Sequence, residues 1–123
     1  MNRQIRIRVG SVIALANLYN TKTAEAIWQA LPFNGKVNTW GKEIYFGTPL
    51  KEGLEAGQSL VNPGDLGYWP PGNAFCIFFG PTPASNGDEI RAASAVSIFG
   101  RLVDDPMVFE DIKEGEQIVI ERV

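Results

Sequence analysis

Glu43 is the one carboxylate in this chain flanked by aromatics, with Trp40 three positions before it and Tyr45 two after. Rings on both sides can strip water from a carboxyl, raise its pKa and make it a useful acid; on an open strand the same residue is merely solvated. The sequence pairs no second carboxylate with it. Cys76, the only cysteine, reacts only as a thiolate. Its neighbours Phe75, Ile77 and Phe78 raise a thiol's pKa, so an inert thiol is expected. Histidine does not occur at all. Its absence removes the commonest general base, the Ser-His and Cys-His nucleophile pairs, and the most frequent metal ligand. Asp104-Asp105 and Asp88-Glu89 lack the spacing of a calcium loop, and neither the phosphate-loop nor the dinucleotide glycine pattern occurs. No metal and no cofactor is expected.

Recognition has better candidates than catalysis. Trp40, Tyr45, Tyr68 and Trp69 fall at turns or strand edges outside the longest apolar runs, and aromatic side chains with a polar tip can line a pocket and orient a ligand. The competing reading is that the four plug the ends of a barrel.

The elements that must position these residues centre on Val61 to Pro83. Within it Ala74 to Phe79 is the longest apolar run, bracketed by Pro70-Pro71-Gly72 and Gly80-Pro81. A short aromatic-rich run between such breakers predicts a strand buried on both faces, in the middle of a sheet or barrel. Tyr68 and Trp69 then lie on a proline-stiffened loop before it. Upstream, Gln4 to Val9 and Val12 to Leu15 around Gly10-Ser11 predict a β-hairpin, with Arg6 and Arg8 on a solvated outer face. Lys22 to Leu31 predicts an amphipathic helix, capped by Thr21 or Thr23 and stopped by Pro32, with Ile27, Trp28 and Leu31 in the core. Asn34-Gly35 marks a tight turn.

Lys36 to Thr39 and Lys42 to Phe46 follow as strand, with a bulge at Trp40-Gly41. If Ile44 and Phe46 face the core, Glu43 and Tyr45 face the other way. Leu50 to Ser59 reads as an exposed connection, Ala84 to Arg91 as a surface loop, and Ala95 to Val103 as a strand. Asp105-Pro106 opens a second, short helix that Gly115 closes, and Gln117 to Val123 is the last strand. The result is mainly β: seven or eight strands and two helices in a closed or nearly closed barrel.

Composition narrows the classes further. With 123 residues, 45% hydrophobic and 20% charged, residues 1–123 form one ordinary globular domain. A net charge of -3 argues against nucleic acid, whose binding relies on many lysines and arginines. No apolar run nears the roughly 20 residues that span a bilayer, and the stretch from Met1 to Arg6 lacks a leader's apolar segment, so a cytoplasmic protein without a membrane partner is expected.

Several segments resemble cyclophilins. Thr23-Ala24-Glu25 is similar to the opening of their first helix. Gly64-Asp65-Leu66-Gly67 and Gly72-Asn73-Ala74-Phe75-Cys76-Ile77 resemble their Gly-Ile-Leu-Ser and Gly-Ser-Gln-Phe-Phe-Ile segments, and Ile98-Phe99-Gly100-Arg101-Leu102-Val103 is similar to their Val-Phe-Gly-Lys-Val. Val37-Asn38-Thr39-Trp40-Gly41-Lys42-Glu43-Ile44-Tyr45-Phe46 and Gly67-Tyr68-Trp69-Pro70-Pro71-Gly72 resemble more closely a family of small bacterial and archaeal proteins of that fold without an established function. The resemblance implies a cyclophilin-like closed eight-stranded β-barrel with two helices.

It also implies that prolyl isomerase chemistry is dismantled. The isomerase arginine has no counterpart in Val37 to Gly41. The glutamine and phenylalanine of the proline groove fall on Ala74 and Cys76, the histidine on Val96, and the tryptophan loop on Ser85 to Arg91. The implied ligand-binding set is Thr39, Trp40, Glu43, Tyr45, Tyr68, Trp69, Ala74 and Cys76, with no catalytic residue assigned. The leading expectation is an aromatic groove that binds a small molecule or peptide without prolyl isomerase activity. A residual peptidyl-prolyl isomerase, and a subunit that docks its Tyr68-Trp69-Pro70-Pro71 loop on a partner or a second copy, remain as alternatives.

Overall fold

The computed structural model describes residues 3–123; Met1 and Asn2, part of the stretch read above for a leader, lie outside them. Alternation of Ile5, Ile7 and Val9 with polar residues builds β1 (Arg3–Val9), and Gly10, in the left-handed region at φ +56, turns the chain into β2 (Val12–Leu18). Arg6 and Arg8 on the outer face reach Glu121 at 3.1 and 3.4 Å. Such exposed pairs contribute little stability. Helix α1 (Lys22–Ala30) starts where the Thr21 hydroxyl accepts from the Ala24 N–H at 3.1 Å. Ile27 and Leu31 are buried, but Trp28 sits at the edge of the apolar stripe, half-buried, with the guanidinium groups of Arg3 and Arg122 5.1 and 4.6 Å from its ring centroid.

The remaining strands are β3 (Phe33–Lys36), β4 (Asn38–Thr39), β5 (Glu43–Gly47), β6 (Gln58–Val61), β7 (Asp65–Trp69), β8 (Ala74–Phe78), β9 (Ile90–Leu102) and β10 (Gln117–Arg122). They form a sheet in the order β3-β10-β1-β2-β9-β7-β8-β5-β4, with β6 paired to β9. The fold is mainly β, as expected, but the expected closed eight-stranded barrel is not present. The sheet has two unpaired ends, β3 and β4. Val37, between them, is drawn off to the segment before β10, its N–H donating to the Glu116 carbonyl and its carbonyl accepting from Gly115. Side chains rather than a ladder span the seam: the Phe33 and Phe46 rings lie 6.0 Å apart across it.

The second expected helix is also corrected. After Asp105 accepts from the Met107 N–H at 3.0 Å, only a four-residue 3-10 turn forms, Pro106–Phe109, leaving α1 as the one α-helix among the described residues.

Two local expectations fail for packing reasons. Asn34-Gly35 lies inside β3, with Gly35 opposite Ile118. The glycine is needed there because a Cβ would stand 2.8 Å from Cδ2 of Phe46. Trp40-Gly41 is not a bulge but part of the turn joining β4 to β5, where the Trp40 N–H donates to the Glu43 carbonyl at 3.0 Å and Gly41 adopts φ +61. The segment before β6 is exposed over much of its length, yet Glu55 ties it to α1 by accepting from Thr23 Oγ1 at 2.7 Å.

β8 is buried along its whole length, as expected, between β5 and β7. Because strand side chains alternate, Phe75 and Ile77 enter the main core with Ile44, Phe46, Leu66 and Phe99. Ala74, Cys76 and Phe78 enter a second apolar cluster with Ile90, Ala92 and Val96. The sheet thus carries apolar packing on both faces of one strand. Gly35→Ala forces the Phe46 ring to move in a packed core and should destabilise the protein by about 1–3 kcal/mol, read as a lower urea midpoint with an unchanged slope.

Candidate functional site

The second cluster is incomplete. Above it opens a cavity of about 220 Å³, lined by Trp40, Glu43 and Tyr45 from the β4–β5 hairpin and by Trp69 and Cys76 from β7 and β8. Ala92, Ala93 and Val96 of β9 close the other side.

Alternation in β5 places Glu43 here. With Ile44 and Phe46 in the main core, Glu43 and Tyr45 point to the opposite face, and Tyr45 pairs with Cys76 across the ladder. The hairpin tip carrying Trp40 is docked: Lys42 donates to the Pro81 carbonyl at 2.9 Å, and a Cβ on Gly41 would lie 2.8 Å from the Thr82 backbone. Trp69 is held at both ends of its indole. Its Nε1–H donates to Ser94 Oγ at 2.6 Å, and its six-membered ring lies against Gly72, where a Cβ would approach within 2.9 Å. Gly67 provides the space for Val96, whose Cγ2 would stand 3.0 Å from a Cβ on that glycine.

Glu43 is only 5% exposed. Burial pushes its carboxyl up to about 7, opposed weakly by the neighbouring Cys76 thiol. Among the described residues no backbone N–H, hydroxyl, lysine or arginine donates to this carboxylate, so its ionised form has little to replace lost water. Cys76 is 2% exposed, and burial, then the Glu43 charge, raise its thiol well above the usual range. It is a poor nucleophile. Among the described residues no group of histidine, cysteine or carboxylate side chains is arranged to hold a metal ion, and no helix is long and apolar enough to cross a membrane.

Five of the residues singled out from sequence therefore meet at one cavity: Trp40, Glu43, Tyr45, Trp69 and Cys76. Three do not. Tyr68 is fully buried in the main core, where its hydroxyl accepts from the Glu52 N–H at 3.1 Å and donates towards Asn73 Oδ1 at 3.2 Å. It cannot share a wall with Trp69, because the two are consecutive in β7 and point to opposite faces. Thr39 is exposed and bonded through its N–H to Glu114 Oε1 at 3.1 Å, while Ala74 packs beneath Trp69 in the second cluster without reaching the cavity surface. Ala92 and Ala93 were not legible as site residues. The only hint was a run of small side chains before the expected start of β9, and small residues opposite large rings leave space.

A family model described as Cyclophilin-like matches residues 3–121. The chain is also similar to the solution structure of a hypothetical protein from Archaeoglobus fulgidus, with 39% identity, a TM-score of 0.84, and coverage of 99% of this chain and 95% of that one. Among curated proteins none matches.

Glu43 gives the site a pH signature. With its folded pKa near 7 and an unfolded value near 4.5, the folded state holds a proton that the unfolded state loses first. The stability that this proton carries is therefore complete below pH 4.5 and lost as pH rises towards and through 7. Glu43→Gln removes that loss. The variant should equal the wild type near pH 4.5 and exceed it at pH 8 by on the order of 3 kcal/mol, measured by urea unfolding of both proteins at each pH so that Asp65, also raised by burial, cancels.

Proposed function

We propose that this chain, which belongs to the Cyclophilin-like family, is a binding module that takes a small molecule in the cavity between the β4–β5 hairpin and β9 and does not isomerise prolyl bonds. One observation carries the reading. Two tryptophans, a tyrosine and a buried carboxyl, supplied by separate parts of the chain, converge on an opening in the face of the sheet away from the main core. A hollow of this kind, apolar with one polar group, is the usual form of a small-molecule site. The supports behind it favour binding over mere plugging. An indole fixed by Ser94 and Gly72 loses little freedom when a ligand stacks on it, so less of the interaction energy is spent on ordering.

The cavity volume favours a compact molecule over an extended peptide. No arginine lines it among the described residues, and the thiol and the raised carboxyl do not make a nucleophile pair. In a protease-coupled assay on an Ala-Pro peptide the expected rate equals the uncatalysed background, and a rate above it contradicts this part of the proposal. A library of small aromatic and heteroaromatic fragments, screened by NMR on the indole resonances, is expected to give hits that move Trp40 and Trp69 and leave Trp28 in place. Trp69→Ala should weaken those hits at least tenfold while the protein still unfolds cooperatively. Hits that ignore Trp40 and Trp69, or that survive the substitution, contradict the site.

A further inference from the structure

We infer that the cavity selects a small organic cation, a protonated amine or amidine on a compact flat body, with its N–H donors turned to Glu43. This rests on the cavity being a ligand site. The first ground is an under-satisfied acceptor: among the described residues Glu43 is the only charged side chain on the lining, is 5% exposed, and has the weak donor Cys76 Sγ as its one side-chain hydrogen-bond partner. A carboxylate so placed gains most from a partner that brings donors and positive charge together.

The second ground is the walls. Trp40, Tyr45 and Trp69 present π-systems, whose negative faces attract a cation, while Ala92, Ala93 and Val96 offer no polar competitor. The Trp69 indole N–H, which could have met an anion, is already engaged with Ser94. An anionic ligand would meet a carboxylate with no lysine or arginine among the described residues on the lining to offset it. The third ground is size: about 220 Å³ is below the roughly 300–1,000 Å³ of pockets for drug-sized molecules, which suits a single ring bearing one basic group.

The charge requirement makes binding pH-dependent. The cation needs Glu43 ionised, and that carboxyl titrates near 7 in the free protein. The other titratable side chains facing it are Tyr45 on its own strand and Cys76 on β8; β7 and β9 bring none to the lining, and Lys42 turns away to Glu110 at 3.5 Å. Below pH 7 a proton competes with the ligand, so affinity rises about tenfold from pH 6 to pH 8 for a ligand that stays cationic throughout.

The test is a charge series on the full chain by NMR titration at pH 6, 7 and 8: benzamidine and benzylamine, neutral benzamide and benzyl alcohol, and anionic benzoate. The expected result is that the two cations bind at Trp40 and Trp69, more tightly than their neutral counterparts at pH 8, with the tenfold pH dependence; Glu43→Gln removes both the preference and the dependence. Neutral or anionic members that bind as tightly as the cations at pH 8, or cation affinity flat with pH, overturn the inference and leave the ligand site standing. If no member of the series binds, the cation inference falls; the ligand site falls with it only if the wider fragment library also leaves Trp40 and Trp69 unmoved. Should the glutamine variant not fold, the wild-type charge and pH series decide alone.

Discussion

A single strand, β8, is apolar on both faces, and the molecule is arranged so that neither face is left in water. Phe75 and Ile77 close the main core on one side, while Ala74, Cys76 and Phe78 need cover on the other. That second cover comes from β9 and from the ring-bearing residues Tyr45 and Trp69, and it stops short of sealing the surface. Glu43 belongs to the same face by the parity of β5. Its carboxyl is therefore held in an apolar surround without a counter-ion among the described residues, a costly position that raises the pH at which it gives up its proton. Unfavourable groups of this kind persist mainly where a site uses them.

The surroundings of the cavity are stiff, and the stiffness comes from backbone features rather than from the lining itself. Three glycines without side chains let neighbours in: Gly67 admits Val96, Gly72 backs the Trp69 ring, and Gly41 lets the hairpin tip settle on Thr82 and Pro83. Thr82 and Ser85 in turn organise the segment leading into β9, with the Thr82 hydroxyl bonded to the Arg91 carbonyl. The cavity is therefore built by the fold itself.

Much of this was legible in the residues. The β1–β2 hairpin, α1, β8 and the outward parity of Glu43 and Tyr45 all follow from short-range pattern, because each is settled by neighbours in sequence. What failed depends on distant contacts. Tyr68 and Trp69 looked alike as loop aromatics, but β7 extends through both and sends them to opposite faces. Asn34-Gly35 carries the composition of a turn, yet its glycine answers to Phe46, which lies in a different strand. Closure of the sheet could not be read from strand count, since it depends on pairings between strands far apart in sequence, and the ladder ends at β3 and β4. The small residues of β9 acquired meaning only once the rings opposite them were placed. The resemblance to cyclophilins supplied the family, and three of the positions at which it departs, Ala74, Cys76 and Val96, lie on the face of the sheet that carries the cavity.

Glu43 is a desolvated carboxyl facing that cavity, and its own titration tests this most directly. With the protein labelled at glutamate carboxyl carbons, the Glu43 resonance followed from pH 3 to pH 9 should move with a midpoint near 7. A midpoint in the ordinary glutamate range, about 4.3, would mean that water reaches the carboxyl freely, and would contradict the account.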